Sequence, residues 1–287
     1  MIEVLQLLIN GLVAGTILAV PAIGFTAIYA VLRFPNFTVA SHATIGAFAG
    51  YVANTAFGFP AWAAVAVAFV VTGAAGVVND EIVLKPLRPA GALTAAIAAV
   101  ALTIVLENVI RFVWGNDLRG YDLPIHRDWQ WAGLRIGPQQ VENLVIAVLA
   151  MAGLFLFLAF TRTGRAMRAV ADNPMLAGIK GINADMVARL VNFVGMGLAG
   201  VGGMLLGLDT SIDPLTGFRV ILSVFAAAVV GGLGSIPGAV VGALTIGVAE
   251  ELSLLSLAPA YRSAVGFAAI LVVLTLRPRG LLGERAY

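Results

Sequence analysis

Long apolar runs separated by short polar stretches make up most of this chain. Each run approaches or exceeds the roughly 20 apolar residues that an α-helix, rising about 1.5 Å per residue, needs to cross the hydrocarbon core of a bilayer. The pattern therefore predicts about nine membrane spans, with bounds that leave room for eight to ten. The predicted spans lie near residues 4–31, 38–57, 60–79, 91–113, 140–160, 187–207, 218–233, 236–256 and 263–276.

Composition indicates the same class of protein. Hydrophobic residues make up 60% of the chain and charged residues only 11%, a balance that the surface of a soluble domain does not tolerate. The alternating segments of a transmembrane barrel do not occur. We therefore predict an all-α, polytopic helical bundle in the membrane, with residues 1–287 forming a single domain. Because its first apolar run has no basic segment before it and continues past signal-peptide length, we expect it to be a retained first span.

Charged residues concentrate in a few connections, and these set the expected orientation. Segment 162–189 carries five basic residues against two acidic ones, and the tail after residue 276 carries three against one. Both are assigned to the cytoplasm. Segment 114–139 balances three acidic residues with three basic ones. It also holds tryptophans, which favour a membrane interface, and it is assigned to the outside: Trp114, Trp129 and Trp131.

Alternation between the nine spans then fixes the remaining connections. Lys85 and Arg88 return to the cytoplasm, whereas Asp209 and Asp213 lie outside. The N-terminus is expected outside and the C-terminus in the cytoplasm.

Small residues recur at every fourth position in three of the predicted spans. Such lines allow close helix packing in lipid, where no hydrophobic force drives helices together. Tight structural packing is one interpretation, and sliding of the lines during a transport cycle is the other. The lines are Gly11, Gly15 and Ala19; Gly195, Ala199, Gly203 and Gly207; and Gly234, Gly238 and Gly242.

Two apolar segments contain helix-breaking or polar residues and are predicted to be broken or re-entrant. Segment 33–50 contains Pro35 and several polar side chains, and segment 231–238 contains four glycines and Pro237. Interrupted helices can mark a substrate path, although such polar groups also bond neighbouring helices without touching substrate. The candidate path residues are Asn36, Ser41, Thr44, Glu107, Asn108 and Ser223. His42 is expected to be a polar bridge, since no second ligand stands at metal-binding spacing.

Charges within the predicted spans are few. Glu107 and Arg111 are spaced to neutralise each other on one helix, and Glu250 with Glu251 is expected at a solvated helix end. An ion-coupled pump would need more intramembrane carboxylates. The chain has no GxxxxGK[ST], GxSxG or HExxH motif and no cysteine, so we predict no catalytic residue, no metal site and no nucleotide site of its own.

The polar segment 172–181 has the signals of a short helix. Asp172 or Asn173 can serve as the N-cap, Pro174 suits the first helical position, and Gly181 is a plausible C-terminal stop.

Four stretches resemble one family over essentially the whole chain, in family order and spacing. They are NFTVASHATIGAFAGY, DNPMLAGIKGINADMV, FAAAVVGGLGSIPGAVVGALTIGVAEEL and YRSAVGFAAILVVLTLRPRGLLG. They are similar to the LivH-like permeases of branched-chain amino acid ABC importers. The resemblance implies a multi-pass protein of the bacterial inner membrane.

Several partners follow from the resemblance. These are a homologous LivM-like permease, two cytoplasmic ATPases that bind ATP and Mg²⁺, a periplasmic binding protein and the lipid bilayer, with no nucleic acid and no cofactor on this chain. Segment 162–189 would be the cytoplasmic coupling loop and 114–139 a periplasmic loop. The residues that would couple to an ATPase are Arg168, Asp172, Asn173, Pro174, Ala177, Gly178 and Gly181.

Other functions remain open. Related importers carry urea, short amides or aromatic acids. A stand-alone secondary transporter would require coupling carboxylates facing a cavity, for which only Glu107 is a candidate. A membrane-embedded enzyme would require clustered His, Asp or Ser groups at one depth.

Overall fold

The computed structural model describes residues 2–123, 128–131, 133–277 and 279–283. These ranges form helices α1 (Ile2–Leu32), α2 (Val39–Thr55), α3 (Ala61–Asn79), α4 (Lys85–Leu87), α5 (Ala92–Trp114), α6 (Pro138–Phe160), α7 (Arg162–Asp172), α8 (Pro174–Ile179), α9 (Ala184–Asp209), α10 (Thr216–Gly231), α11 (Ile236–Ser253) and α12 (Arg262–Leu276). A π-helical turn, Asp80–Leu84, joins α3 to α4. An antiparallel hairpin of β1 (Trp129–Trp131) and β2 (Leu134–Ile136) pairs Trp129 with Ile136.

Every predicted span corresponds to a helix, and the all-α, polytopic class is confirmed. The number of about nine spans is not. Within the described ranges, six helices are long and apolar enough to cross a membrane: α1, Ala61–Ala90, α5, α6, α9 and α11. The other three helices are shorter than the roughly 20 residues that a full crossing requires, because α2, α10 and α12 have 17, 16 and 15 residues.

Helices α1 and α9 form the centre of the bundle, and α2, α3, α10 and α11 pack around them. Glycines make this packing possible. A Cβ atom at Gly203 of α9 would overlap the carbonyl oxygen of Ala43 in α2, and one at Gly195 would lie 2.8 Å from the Gly24 oxygen in α1. The helix backbones therefore touch directly, as small residues allow in lipid.

Other glycines of the predicted lines also stand at close contacts, with a helix or with a connection. Gly11 and Gly15 face the α11 backbone, Gly207 faces Ile212 and Tyr121, and Gly238 and Gly242 face the α10 backbone. Gly234 was predicted to pack between helices, and this prediction is wrong. It lies in the turn before α11, no atom lies within 4 Å of its Cβ direction, and its φ of +93° is the reason for glycine there.

The connections gather at two ends of the bundle. At one end, Arg189 pairs with Glu81 at 2.6 Å and Lys85 with Asp185 at 3.5 Å, which brings segment 162–189 next to the connection after α3. At the other end, the backbones of Arg119 and Ile212 exchange hydrogen bonds of 2.9 and 2.8 Å. The predicted grouping of these connections agrees with this arrangement. Arg127, Glu284 and Arg285, which entered the charge balance, lie outside the described residues.

We expect Gly203→Ala to destabilise the protein by about 1–3 kcal/mol, because the added methyl group overfills a backbone contact. The matched control is Gly153→Ala on α6, where no atom lies within 4 Å of the added carbon. Melting of the purified protein in detergent measures both. Equal melting temperatures for the two variants would contradict the packing described here.

Candidate functional site

The polar segment between α6 and α9 contains two helices instead of the one predicted. The hydroxyl oxygen of Thr161 caps α7 by accepting a hydrogen bond from the Gly164 nitrogen at 2.9 Å. Asp172 is the last residue of α7, and the chain then turns at Asn173, whose φ of −152° and ψ of 100° are extended. The segment is therefore folded over most of its length.

Helix α8 is short but capped at both ends. Asn173 is its N-cap, since its Oδ1 accepts from the Leu176 nitrogen at 3.0 Å. At its C-terminus, Gly181 has a φ of +81°. The Gly181 nitrogen donates to the Gly178 oxygen at 2.9 Å and the Ile182 nitrogen to the Ala177 oxygen at 3.0 Å, which is a Schellman motif. Of the two predicted N-caps, the structure selects Asn173.

The two helices present different surfaces. Helix α7 buries Gly164, Met167 and Val170 and exposes a row of arginines on the opposite side: Arg162, Arg165 and Arg168. Helix α8 exposes three large apolar side chains, Met175 (78%), Leu176 (58%) and Ile179 (75%), which we call the α8 apolar surface.

The sequence analysis did not identify this apolar surface. The sequence feature that indicates this surface is the spacing of its large apolar residues in an otherwise polar segment: Leu176 and Ile179 follow Met175 by one and four positions. Ala177 and Gly178, both predicted coupling residues, differ in position. Ala177 is buried in the core, and Gly178 is open to its surroundings.

The segment is fastened to the spanning helices at several points. The Arg33 guanidinium donates to the carbonyl oxygen of Ala171 at the end of α7. Arg189 and Asp185 of α9 hold Glu81 and Lys85, as described above. The segment therefore contacts α1 and α9, and α9 in turn contacts the turn that follows α3.

Buried polar groups line the first interruption, between α1 and α2. The Asn36 Oδ1 atom accepts from the Thr38 hydroxyl at 2.7 Å, and the Ser41 hydroxyl donates to the Thr38 oxygen at 2.9 Å. His42 lies 2.7 Å from the Thr38 oxygen through Nδ1 and 3.2 Å from the Asn79 amide through Nε2. His42 thus bridges α2 and α3, as predicted.

The connection between α9 and α10 turns back into the bundle. Thr44 of α2 accepts a hydrogen bond from the Gly217 nitrogen at 3.0 Å, and a Cβ atom on Gly217 would overlap the Ala40 oxygen. Asp213, buried and paired with Arg219, stabilises this turn by accepting from the Leu215 nitrogen at 3.1 Å. The start of α10 therefore lies against the N-terminal half of α2, which follows the break as a continuous helix. The sequence analysis did not anticipate this contact.

The remaining path candidates are not part of this cluster. Glu107 is buried on α5, and its Oε1 atom has no hydrogen-bond partner among the described residues. Asn108 is exposed on the same helix. Ser223 of α10 donates to the Glu250 carboxylate at 2.6 Å.

Two carboxylates differ from expectation. Glu250 and Glu251 are buried, at 4% and 8% exposure, and both lie beside Arg262 of α12. The expected solvated helix end is therefore wrong, because α12 folds back over the end of α11 and supplies a cation. Glu107 and Arg111, in contrast, form no ion pair within 4.0 Å in the part of the chain that the structure describes.

Two cavities adjoin the spans. One, of about 430 Å³, is almost wholly apolar and lies between α2, α3 and α5, with Ile45, Val52, Val71, Ile110 and Trp114 in its wall. The other, of about 460 Å³, is polar and lies at the end near β2, with Gln6, Asn10, Asp128, Arg135 and Asp209 in its wall.

Comparison with known proteins identifies the family of this chain. Residues 7–274 match the family described as the permease component of the branched-chain amino acid transport system. The chain belongs to this permease family. It is 34% identical, over 98% of its length and 96% of theirs, to the high-affinity branched-chain amino acid transport system permease proteins LivH of Salmonella typhimurium and Escherichia coli.

Other relatives agree. The permease is 33% identical to BraD of Pseudomonas aeruginosa, over 98% of this chain and 96% of that protein. A solved structure, PsaBC from Streptococcus pneumoniae in complex with Fab, matches with a TM-score of 0.51 at 16% identity, covering 96% of this permease and 93% of that chain. That likeness concerns the fold alone. The permease is a multi-pass protein of the inner membrane and belongs to a family of transport subunits.

We expect Asn173→Ala to loosen α8 by about 0.5–2 kcal/mol, because the Leu176 nitrogen loses its cap. Hydrogen exchange of residues 174–182 in the purified permease measures this, and the amides should exchange faster. Asn173→Asp keeps an acceptor oxygen and should retain wild-type exchange. Identical exchange in all three proteins would show that Asn173 does not cap α8.

Proposed function

We propose that the chain is the membrane-spanning permease subunit of a binding-protein-dependent ABC importer that moves branched-chain amino acids into the cytoplasm. Family membership supports the transport role. The observation that carries the coupling mechanism is the α8 apolar surface, which stands outside the spanning helices. Large apolar side chains clustered on a polar, water-facing segment favour a protein partner.

The partner that fits this surface is an ATPase subunit. Its groove would receive Met175, Leu176 and Ile179, and its acidic residues would meet Arg165 and Arg168 of α7. ATP and Mg²⁺ would bind to the two ATPases. This chain would need no catalytic residue and no cofactor of its own.

The fastening of the segment supports transmission of movement to the spans. The buried Ala177 and the capped ends of α8 make the helix a compact unit, and the contact of Arg33 with Ala171 connects it to α1. ATP-driven closure of the ATPases would move α7 and α8, and the closely packed helices would follow as rigid pieces in an alternating-access cycle. Asp172, at the junction of α7 and α8, belongs to this coupling set with Arg168, Asn173, Pro174, Gly178 and Gly181.

The complete importer would contain a homologous LivM-like permease and a periplasmic binding protein. Branched-chain amino acids are the proposed substrates because the relatives named above are branched-chain amino acid permeases. Selectivity would lie mainly in the binding protein. Urea, short amides and aromatic acids are the alternative substrates.

The proposed translocation path would pass the buried polar groups beside the break between α1 and α2. Asn36, Ser41 and Thr44 cluster there, and the Thr103 hydroxyl donates to the Phe37 oxygen at 3.2 Å, which joins α5 to the same region. Glu107 lies one helical turn beyond Thr103 on the buried side of α5. Ser223, bonded to Glu250, fits a structural contact better than a path.

We expect the double variant Met175→Asp with Ile179→Asp to lower binding-protein-stimulated ATP hydrolysis and uptake by more than about tenfold, because two anchors of the interface would become charged. The reconstituted importer measures both rates. Leu118→Asp is the matched control, since Leu118 is 66% exposed at the opposite end of the bundle. Full stimulated hydrolysis in the double variant would contradict ATPase docking on α8.

The proposed orientation has its own test. The permease contains no cysteine, so a single cysteine can be labelled cleanly. Cysteine at Gly120 should react with an impermeant maleimide in spheroplasts, and cysteine at Gly178 only after permeabilisation. Both positions have open space for a side chain. The reverse labelling pattern would overturn the orientation.

A further inference from the structure

The apolar cavity between α2, α3 and α5 opens on the outside of the bundle. Its wall includes Val71 of α3 and Phe57 of the connection after α2, which are 43% and 70% exposed. Every described residue of the wall is hydrophobic, and the volume is about 430 Å³. The cavity is therefore an apolar recess that the surrounding bilayer can enter.

The depth of this cavity matches one leaflet of the bilayer. At its shallow end lie Phe57 and Phe59, just past α2, and Trp114, the last residue of α5. At its deep end lies Ile45, about 15 Å along the helix axis from Thr55 at the end of α2. The hydrocarbon core is about 30 Å thick, so the cavity runs from the membrane surface to about the bilayer centre.

The apolar wall determines what can fill the cavity. A buried water needs about two to four polar partners, which this wall does not offer, and an empty space forfeits van der Waals contacts. An apolar cavity of only about 150 Å³ already binds a small hydrocarbon. An acyl chain of a neighbouring lipid therefore fits the cavity by polarity, size and depth.

A cation stands beside the shallow end. The Arg119 guanidinium donates to the backbone oxygen of Trp114 at 2.8 Å and lies 5.7 Å from the centre of the Tyr51 ring. Among the described residues, it has no carboxylate within 4.0 Å, and its Nε atom has no hydrogen-bond partner. Aromatic rings such as that of Trp114 favour the headgroup level, where an unneutralised guanidinium attracts a phosphate.

We propose that this cavity is a phospholipid site, in which one acyl chain lies between α2, α3 and α5 and Arg119 pairs with the lipid phosphate. The combination carries the inference: an apolar recess one leaflet deep has an unneutralised cation at its shallow end. The site requires only that the chain lies in a membrane, so it does not depend on the proposed importer. Bound lipid would fill the space between α2 and α5 and so hold α2 in place.

Native mass spectrometry of the full-length permease tests the site. The purified protein is depleted of lipid in detergent and titrated with dioleoyl phosphatidylglycerol, and we expect one lipid to bind more tightly than the rest. Val71→Trp fills the cavity and should weaken this affinity more than about tenfold, since each buried methylene group contributes to lipid binding. Val70→Trp is the matched control, because Val70 is the exposed neighbour on α3 that lies outside the cavity wall. Ala49→Leu fills the cavity from α2 and gives a second reading.

Arg119→Gln separates the contribution of the headgroup from that of the acyl chain. It should weaken phosphatidylglycerol binding about fivefold, the usual effect of one basic side chain at a phospholipid surface. Dioleoylglycerol has the same chains and no phosphate, so it should bind the wild type and Arg119→Gln alike.

Each other outcome overturns a stated part of the proposal. Equal phosphatidylglycerol affinity in the wild type, Val71→Trp and Ala49→Leu would show that the lipid does not lie in this cavity, as would the absence of a tightly bound lipid on the wild type. Equal weakening of both lipids by Arg119→Gln would overturn the phosphate contact. If Val71→Trp kept its lipid but lost a co-purifying protein subunit, a protein side chain would be the occupant instead.

Discussion

Direct backbone contact between helices is the constraint on which the rest of this structure depends. Inside a bilayer no hydrophobic force drives helices together, so they associate by close packing. Here α9 touches α2 at Gly203 and α1 at Gly195, and α1 touches α11 at Gly15. These contacts leave little freedom for the central helices to separate. Movement in such a bundle is restricted to rigid displacement of packed groups, which is what a mechanically coupled transporter requires.

The same constraint explains where the chain departs from regular helix. Non-helical backbone at membrane depth needs partners within the protein. The connection before α10 satisfies this need through the Asp213 carboxylate, which accepts from the Leu215 nitrogen. Thr44 accepts from the Gly217 nitrogen in the first turn of α10. The break between α1 and α2 satisfies it through Asn36 and Thr38. Polar groups at these positions therefore stabilise the interruptions themselves, whatever further role they have toward substrate.

Much of this architecture could be predicted from the sequence, for identifiable reasons. The apolar runs predicted the positions of the long helices, because helix length and hydropathy are properties of the local sequence. Asn173, Pro174 and Gly181 gave α8, because caps act within one turn. The exact number of crossings could not be derived, since α2, α10 and α12 are too short for length alone to decide. The sequence also could not predict which side chains are buried by distant parts of the chain. Glu250 was expected near solvent, but it is buried because α12, distant in sequence, brings Arg262 beside it.

Uptake by reconstituted permease tests the central claim most directly. Radiolabelled leucine uptake is measured in proteoliposomes that contain this chain alone, and in proteoliposomes that also contain the second permease, both ATPases, the binding protein and ATP. The proposed function predicts no uptake by the chain alone and ATP-dependent uptake by the complete importer. Uptake by the chain alone, driven by a proton or sodium gradient, would contradict it.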